Sequence, residues 1–151
     1  MRTDAIIKYF QKYFSLEELF SKAVVKKYGE QAWSFLDPRL LEVLIWVREG
    51  MGIPLVINTS SLQQRGFREN TCQIVADKTK AGVIYASAHT LGKGVDFSSG
   101  RATAPTIRQW IRRHIDECPH HIRLESDKSA PTWVHIDVCN TTENKLVEFS
   151  V

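Results

Sequence analysis

Two histidines and one aspartate have the residue types and spacing of a catalytic metal site. His89 and Asp96 flank a bend containing Gly92 and Gly94, and glycine lets a backbone turn tightly enough to bring two side chains together. His135 belongs to the polar face of a predicted downstream strand. Two imidazoles and one carboxylate match the protein ligands of zinc sites that leave a position open to water. Such zinc lowers the pKa of a water molecule to about 7 and polarises a carbonyl, as amide hydrolysis requires.

Alternating polarity in the last third of the chain predicts the strands that present these groups. Apolar and polar residues alternate over 122–125 and again over 133–138, so each strand has one apolar face and one polar face. The intervening segment 126–131 contains turn formers, which favours an antiparallel hairpin.

Capping signals predict two helices in the first third. The capping-box spacing that begins at Ser15 indicates a helix to about Tyr28. Asp37 followed by proline, and then by an apolar stripe, indicates a second helix that ends near Gly50 or Gly52.

The middle of the chain carries weaker signals. A β-branched run at 54–58 predicts a buried strand, and 94–97 predicts another short strand. Segment 59–86 is polar and is predicted to be irregular, whereas 106–115 has the apolar spacing of a helix.

Length and composition predict one α+β domain. With 151 residues, 43% hydrophobic and 25% charged, the chain can bury its own core. We expect N-terminal helices (1–52) to pack on a metal-site core (53–151) built on a small, mainly antiparallel sheet. The net charge of +3 is too small to indicate a nucleic-acid partner.

Basic residues and cysteines suggest no further site. The most basic cluster has helical spacing and is predicted to be a solvated helix face: Arg108, Arg112, Arg113 and His114. The cysteines are odd in number and lack C-x-x-C spacing, so neither a disulfide framework nor a thiolate zinc site is indicated: Cys72, Cys118 and Cys139.

Segment 1–20 mixes charged with apolar residues, unlike a signal peptide, and no run of about 18 apolar residues predicts a membrane span. We therefore expect synthesis in the cytosol, no membrane insertion and a monomer.

Segment 87–96 resembles the metal-site motif of the zinc D-alanyl-D-alanine carboxypeptidases and related peptidoglycan peptidases, which share their metal-site fold with the Hedgehog signalling domain. The family pattern Ser-x-His-x-x-Gly-x-Ala/Gly-x-Asp is filled here in full. Segment 133–138 resembles the strand that carries the family's last histidine, and Gly-Phe-Arg at 66–68 looks like its Gly-Tyr-Arg. The likeness spans roughly 54–138.

This resemblance implies that His89, Asp96 and His135 bind zinc. It also implies that Arg68 orients a carboxylate or carbonyl of the substrate, the alternative being a solvated loop arginine. Ser87 would steady the site by hydrogen bonding or would simply form a turn.

The general base must come from another segment, because many family members carry an acid a few residues before the last zinc-binding histidine and segment 130–134 contains none. Glu125 is the first choice, since the hairpin would place it nearly opposite Trp133 and diagonal to His135, on one face. Asp137 is the second choice, and its alternative role is to orient a ligand.

Two further features stay open. Trp133 could line the substrate cleft or be ordinary packing, and Asp127 is a remaining candidate for the base. His114, His120 and His121 are less suited to touch a metal ion.

The resemblance implies a zinc metallopeptidase that hydrolyses stem peptides or cross-bridges of peptidoglycan, as a carboxypeptidase or an endopeptidase. The rival hypothesis is a non-catalytic zinc-containing module that binds such peptides. A cell-wall enzyme without a leader needs another route to its substrate, so a phage or prophage origin with a separate lysis route is a further hypothesis.

Overall fold

Helices occupy most of the first half of the chain and strands lie in the second. The computed structural model describes residues 2–151. The α-helices are α1 (Thr3–Phe10), α2 (Leu16–Leu19), α3 (Lys22–Tyr28), α4 (Pro38–Met51), α5 (Gln73–Lys80) and α6 (Ala104–Arg113). Two 3₁₀ helices span Gly29–Phe35 and Ile115–Glu117. The strands are β1 (Gly94–Phe97), β2 (Ile122–Glu125), β3 (Val134–Asp137) and β4 (Leu146–Phe149).

The four strands form one mixed sheet in the order β1-β3-β2-β4. Strand β3 pairs antiparallel with both β1 and β2, whereas β2 and β4 run parallel. The α+β class and the mainly antiparallel sheet are therefore confirmed. All four residues of β3 are buried, which makes this central strand a rigid support for a site.

One face of the sheet packs against the helices. Alternate strand residues Val95, Leu124 and Ile136 are fully buried there, together with Ile107 and Ile111 of α6. Since successive side chains point to opposite faces of a strand, the other face carries the polar residues of β1, β2 and β3.

The helical core extends from this face into the N-terminal part. Phe10 of α1 lies in the same core cluster as Leu40, Leu41 and Leu44 of α4, and all four side chains are fully buried. Within the described chain, no helix has both the length and the apolar character needed to cross a membrane.

Capping residues explain where the first helices begin and end. The helix predicted from Ser15 to Tyr28 is broken, because Phe20 is extended and Ser21 caps α3 by accepting a hydrogen bond from the Val24 amide. The second prediction is confirmed: α4 begins after Asp37 and ends at Gly52, whose φ of 64° suits a helix C-terminus.

The strand predicted at 54–58 is wrong. This segment makes one isolated bridge, Val56 to Ser98, and its Asn58 amide donates to the Glu18 carbonyl instead of to a strand partner. Leu55 and Ile57 are buried nonetheless, so burial of alternate apolar residues did not require a sheet.

The predictions for the other segments differ from the structure in detail. Segment 59–86 contains α5, a short helix whose only buried side chain is Val75. Strand β4 was not predicted, while 94–97 is confirmed as β1 and the 106–115 helix is confirmed with earlier bounds as α6.

The predicted hairpin register is wrong by two residues. Arg123 pairs with Asp137 and Leu124 with Ile136, which is the last pair of this ladder. Continued by one residue, this register sets Glu125 across from His135 rather than across from Trp133. A shift of two residues leaves every side chain on its original face, and Glu125 therefore keeps the face of His135.

Arg108 is a second correction, because it is fully buried rather than solvated. Its Nε donates to the Glu125 carbonyl (2.8 Å), its Nη1 to Asp127 Oδ1 (2.7 Å) and its Nη2 to the carbonyls of Trp133 (2.6 Å) and Ala130. One guanidinium thus fixes both ends of the connection between β2 and β3.

We predict that Arg108→Met lowers the free energy of unfolding by about 3–5 kcal/mol, because it leaves buried carbonyls and a carboxylate without their partner. Arg112→Met is the matched control on the same helix: this guanidinium is 36% exposed and pairs with Glu148 at 2.7 Å, so its loss should cost about 1 kcal/mol or less. Urea denaturation of both variants measures the difference. Equal losses would contradict the structural role of Arg108.

Candidate metal centre

A tight turn between α5 and β1 presents His89. Ser87 Oγ accepts a hydrogen bond from the Thr90 amide (3.3 Å), which closes the turn around the histidine. Gly92 ends the turn with a φ of 67°, and a Cβ there would lie 1.8 Å from the Phe35 carbonyl oxygen. Only glycine fits this position, because the turn packs directly against the backbone of Phe35 in the helical part of the chain.

Sheet register brings Asp96 to His135. These residues are direct partners across the β1–β3 pair, and side chains opposite one another in a sheet lie close together on one face. His135 Nδ1 lies 2.8 Å from Asp96 Oδ1. The strand pairing alone therefore supplies two of the three groups of the site.

His89 completes a group that could hold a metal ion. One donor atom from each of His89, Asp96 and His135 lies within 4.8 Å of the others. His89 Nε2 is 3.4 Å from Asp96 Oδ1, and the three residues are only 4–9% exposed. The structure brings together the three ligands that the sequence predicts.

The second nitrogen of each imidazole is held by the protein. His89 Nδ1 lies 2.9 Å from the Gly66 carbonyl oxygen, and His135 Nε2 lies 2.9 Å from Asp137 Oδ2. Histidines that bind metals almost always donate their other N–H to a carbonyl or carboxylate, which fixes the tautomer and the orientation of the ring. This donor arrangement fits a cation between His89 Nε2, Asp96 and His135 Nδ1.

Asp137 is itself fixed from three directions. Arg123 donates to both carboxylate oxygens at 2.9 Å, and the Cys139 amide donates to Oδ1 at 3.0 Å. The Asp137 side chain is fully buried. With both oxygens engaged, Asp137 is placed to orient His135, which is the alternative role that the sequence left open.

Gly94 provides the space for this arrangement. It pairs with Asp137 across the β1–β3 ladder, and a Cβ at this position would approach Asp137 Cβ to 2.9 Å and His135 Cε1 to 3.3 Å. The glycine therefore lets the imidazole and the carboxylate lie side by side over β1.

Electrostatics in the group follow from burial and pairing. Burial opposes the charge of Asp96, but hydrogen bonds from His135 and His89 outweigh it and hold the pKa of the carboxyl well below its usual value. Burial also opposes ionisation of Asp137, while His135 and Arg123 lower its pKa to about 2. For His135, burial favours the neutral ring, yet the two carboxylates raise its pKa to about 9. The two carboxylates therefore favour positive charge at the position between them, which is supplied by the imidazolium of His135.

Arg68 lies beside this group. Its Nη2 is 3.6 Å from Asp96 Oδ2, its Nε donates to the Gln64 carbonyl (2.7 Å) and its Nη1 donates to Tyr85 Oη (2.8 Å). The side chain is 14% exposed. It is therefore an anchored group at the edge of the site and not a solvated loop arginine.

The other predicted site residues differ in burial and in hydrogen bonding. Glu125 is partly buried, and its carboxylate makes no hydrogen bond within the described chain. Trp133 is partly buried just before β3, where its carbonyl binds Arg108. Ser87 has its hydroxyl in the turn of His89, as the turn-forming alternative predicts.

The remaining histidines lie outside the group. His114 Nδ1 is near the Trp110 carbonyl, His120 pairs with Glu42, and His121 Nδ1 is near the Thr142 carbonyl.

Two contributing residues were missed by the sequence reasoning. Arg123 holds Asp137, and its polar position in the alternating segment 122–125 was the available signal. Tyr85 holds Arg68 from a segment without regular secondary structure, for which the sequence gives no comparable signal.

Comparison of the chain with protein-family models, with curated proteins and with solved structures finds no match.

We predict that the chain binds one Zn²⁺ and that His89→Ala or His135→Ala abolishes stoichiometric binding, because each removes a ligand atom. Asp137→Asn should keep the ligands and weaken binding about 10–100-fold, since it disturbs only the group that orients His135. Chelator competition and metal analysis after desalting measure both effects, with circular dichroism to check the fold. His121→Ala, remote from the group, is the control. Full occupancy in both alanine variants would refute the assignment.

Proposed function

We propose that this chain is a zinc-dependent peptidase domain that hydrolyses amide bonds in the peptides of bacterial peptidoglycan. The observation that carries the proposal is the buried His-Asp-His group in which both imidazoles are oriented by protein acceptors. The resemblance of 66–68, 87–96 and 133–138 to the zinc D-alanyl-D-alanine carboxypeptidases supplies the substrate class. A Hedgehog/DD-peptidase-like arrangement of the sheet is part of the same proposal.

Zinc is the metal that this donor set favours. Two imidazole nitrogens and one carboxylate oxygen form a three-ligand set that is typical of catalytic zinc sites. Magnesium and calcium, in contrast, prefer oxygen ligands alone. When bound, zinc would supply an acidified water molecule and a Lewis acid for the scissile carbonyl.

Arg68 is the proposed group for orienting the peptide. The Gln64 carbonyl and Tyr85 hold its guanidinium beside Asp96, so its position relative to the metal ligands is fixed. A planar guanidinium still has N–H donors left after these contacts, and its fork can bind a carboxylate or a carbonyl.

Glu125 is the proposed general base. Continued by one residue beyond the Leu124–Ile136 pair, the register would set Glu125 on the polar face across from His135. No hydrogen bond within the described chain engages its carboxylate. It could accept a proton from water and then return it to the leaving amine. Asp137 is less suited to transfer a proton, because Arg123, Cys139 and His135 already occupy its oxygens.

A zinc-containing binding module is the second candidate. The observation that favours it is that segment 130–134, where many family members carry the acid, contains no carboxylate. In that case the same site would bind a cell-wall peptide and leave it intact.

We predict that the zinc-loaded protein releases new amines from muropeptides, and that Glu125→Gln lowers kcat by about 10²–10⁴-fold at unchanged zinc content, because only proton transfer is lost. Asp137→Asn should lose activity in proportion to its zinc loss. Mass spectrometry of the products and metal analysis of each variant measure the two effects.

Two results would contradict this assignment. A less active Asp137→Asn than Glu125→Gln at full zinc occupancy would exclude Glu125 as the base. Intact muropeptides that remain bound to the zinc-loaded protein would replace the peptidase with the binding module.

We predict that Arg68→Lys lowers kcat/KM by about 10–100-fold and leaves zinc binding unchanged, because lysine keeps the charge but loses the two-pronged geometry. Arg65→Lys is the matched control, since Arg65 lies nearby and binds Ser98 Oγ at 2.9 Å instead of the site. Steady-state kinetics on one peptide distinguishes the variants. Unchanged kinetics for Arg68→Lys would remove it from the substrate site.

A further inference from the structure

Asn58 is a buried polar side chain outside the metal group. It is only 5% exposed and ends the segment 54–58 that follows α4. Its backbone amide donates to the Glu18 carbonyl of α2 at 3.0 Å, which fixes the residue against the helical part. Burying a carboxamide costs free energy unless its polar atoms are hydrogen-bonded, so the partners of the side chain indicate its role.

The side-chain oxygen of Asn58 accepts hydrogen bonds from two consecutive backbone amides. Asn58 Oδ1 lies 3.1 Å from the Arg65 nitrogen and 3.0 Å from the Gly66 nitrogen. Backbone amides only donate, so the atom that faces them must be the carboxamide oxygen. Asn58 Nδ2 is buried and has no hydrogen-bond partner within the described chain. The side chain therefore acts through its oxygen alone, and this oxygen closes the loop from 58 to 66.

The peptide unit between Arg65 and Gly66 connects Asn58 to Asp96. Its N–H donates to Asn58 Oδ1, and its carbonyl oxygen accepts a hydrogen bond from the Asp96 amide at 2.8 Å. The N–H and C=O of a planar trans peptide point in opposite directions, so one rigid unit lies between the two residues. Fixing this unit on the side of Asn58 therefore fixes the backbone of Asp96.

The next peptide unit holds His89. The Gly66 carbonyl oxygen lies 2.9 Å from His89 Nδ1, and the N–H of the same unit, that of Phe67, donates to the Leu19 carbonyl at 2.9 Å. Asn58 anchors the first of the two units and Leu19 anchors the second. Two consecutive carbonyls are thereby presented to two metal ligands in a fixed relation, through hydrogen bonds that strengthen one another in a buried environment.

We propose that Asn58 is a positioning residue of the metal centre. By holding the amides of Arg65 and Gly66, it fixes the two carbonyls that meet Asp96 and His89, and it does not itself touch the ion. The inference rests on the metal-binding role of the His-Asp-His group, which is part of the proposed function, and it is independent of peptide hydrolysis.

Asn58→Ala tests this role, because it removes the oxygen and leaves two amides without a partner. We expect its affinity for Zn²⁺ to fall by about 10-fold or more, as when a group that orients a ligand is lost. Asn58→Asp should restore the affinity to within about 3-fold of the wild-type value, since one carboxylate oxygen can accept both amides. Competition with a chromophoric zinc chelator measures the dissociation constants.

Asn140→Ala is the matched control. Asn140 is 8% exposed, and its carboxamide also holds a loop: Nδ2 donates to the carbonyls of Ile122 and Asn144, and Oδ1 accepts the Thr142 amide. None of these partners is hydrogen-bonded to a residue of the metal group within the described chain. Urea denaturation of the metal-free proteins should show comparable losses of stability in both alanine variants, whereas only Asn58→Ala should lose zinc affinity.

The outcomes separate this inference from the peptidase proposal. Unchanged zinc affinity in Asn58→Ala, an equal loss in Asn140→Ala, or no recovery in Asn58→Asp would overturn the positioning role. If Asn58→Ala does not fold, Asn58→Ser, which shortens the side chain and withdraws the acceptor, is judged by the same criteria. Lower zinc affinity in the Asn58 variant, in a protein whose wild type leaves muropeptides intact, would support the positioning role and overturn the peptidase. Wild-type protein that binds no zinc would overturn both.

Discussion

The site depends on the pairing of His135 with two buried carboxylates. Burying Asp96 and Asp137 without partners would be strongly unfavourable, so each must be neutralised within the fold. Strand pairing does this, because Asp96 lies across from His135 and Asp137 lies across from Arg123. The polar side chains of three adjacent strands thus form one hydrogen-bonded network. Its central residues, His135 and Asp137, belong to β3.

The N-terminal helices determine where the third ligand lies. The Phe35 carbonyl lies against Gly92 at one end of the His89 turn, and the Gly92 carbonyl accepts a hydrogen bond from the Asp37 amide at 2.8 Å. Gly66 packs against the Leu19 carbonyl, and its own carbonyl binds His89. A Cβ at Gly66 or Gly92 would collide with the backbone of Leu19 or Phe35. These two glycines therefore allow the segments around His89 to pack closely against the helical part. The helical part therefore belongs to the site as much as the sheet does.

Local signals in the sequence predicted the parts of this arrangement that local chemistry determines. The Asp37 cap, the alternation in 122–125 and the grouping of His89 with Asp96 and His135 depend on residue type and spacing, and the structure contains all of them. Predictions failed where distant partners decide the outcome.

Arg108 illustrates such a distant partner. Its helical spacing suits a solvated face, and only the carbonyls of a connection about 20 residues away make burial favourable. The run at 54–58 likewise has strand character, but its Asn58 amide donates to the carbonyl of Glu18 in α2. Neither partner can be identified from spacing along the chain.

The same arginine offers a physical reason why the proposed base need not lie close to His135 in sequence. Many members of the zinc peptidase family proposed for this chain carry the acid a few residues before the last histidine, and segment 130–134 contains none. Here the Arg108 guanidinium binds the carbonyl of Glu125 at the end of β2 and the carbonyl of Trp133 just before β3. Arg108 therefore fixes the position of Glu125 relative to β3, the strand that contains His135. A buried cation whose donors are satisfied by two chain segments can replace a short covalent spacing, provided that it stays fully desolvated and fully bonded.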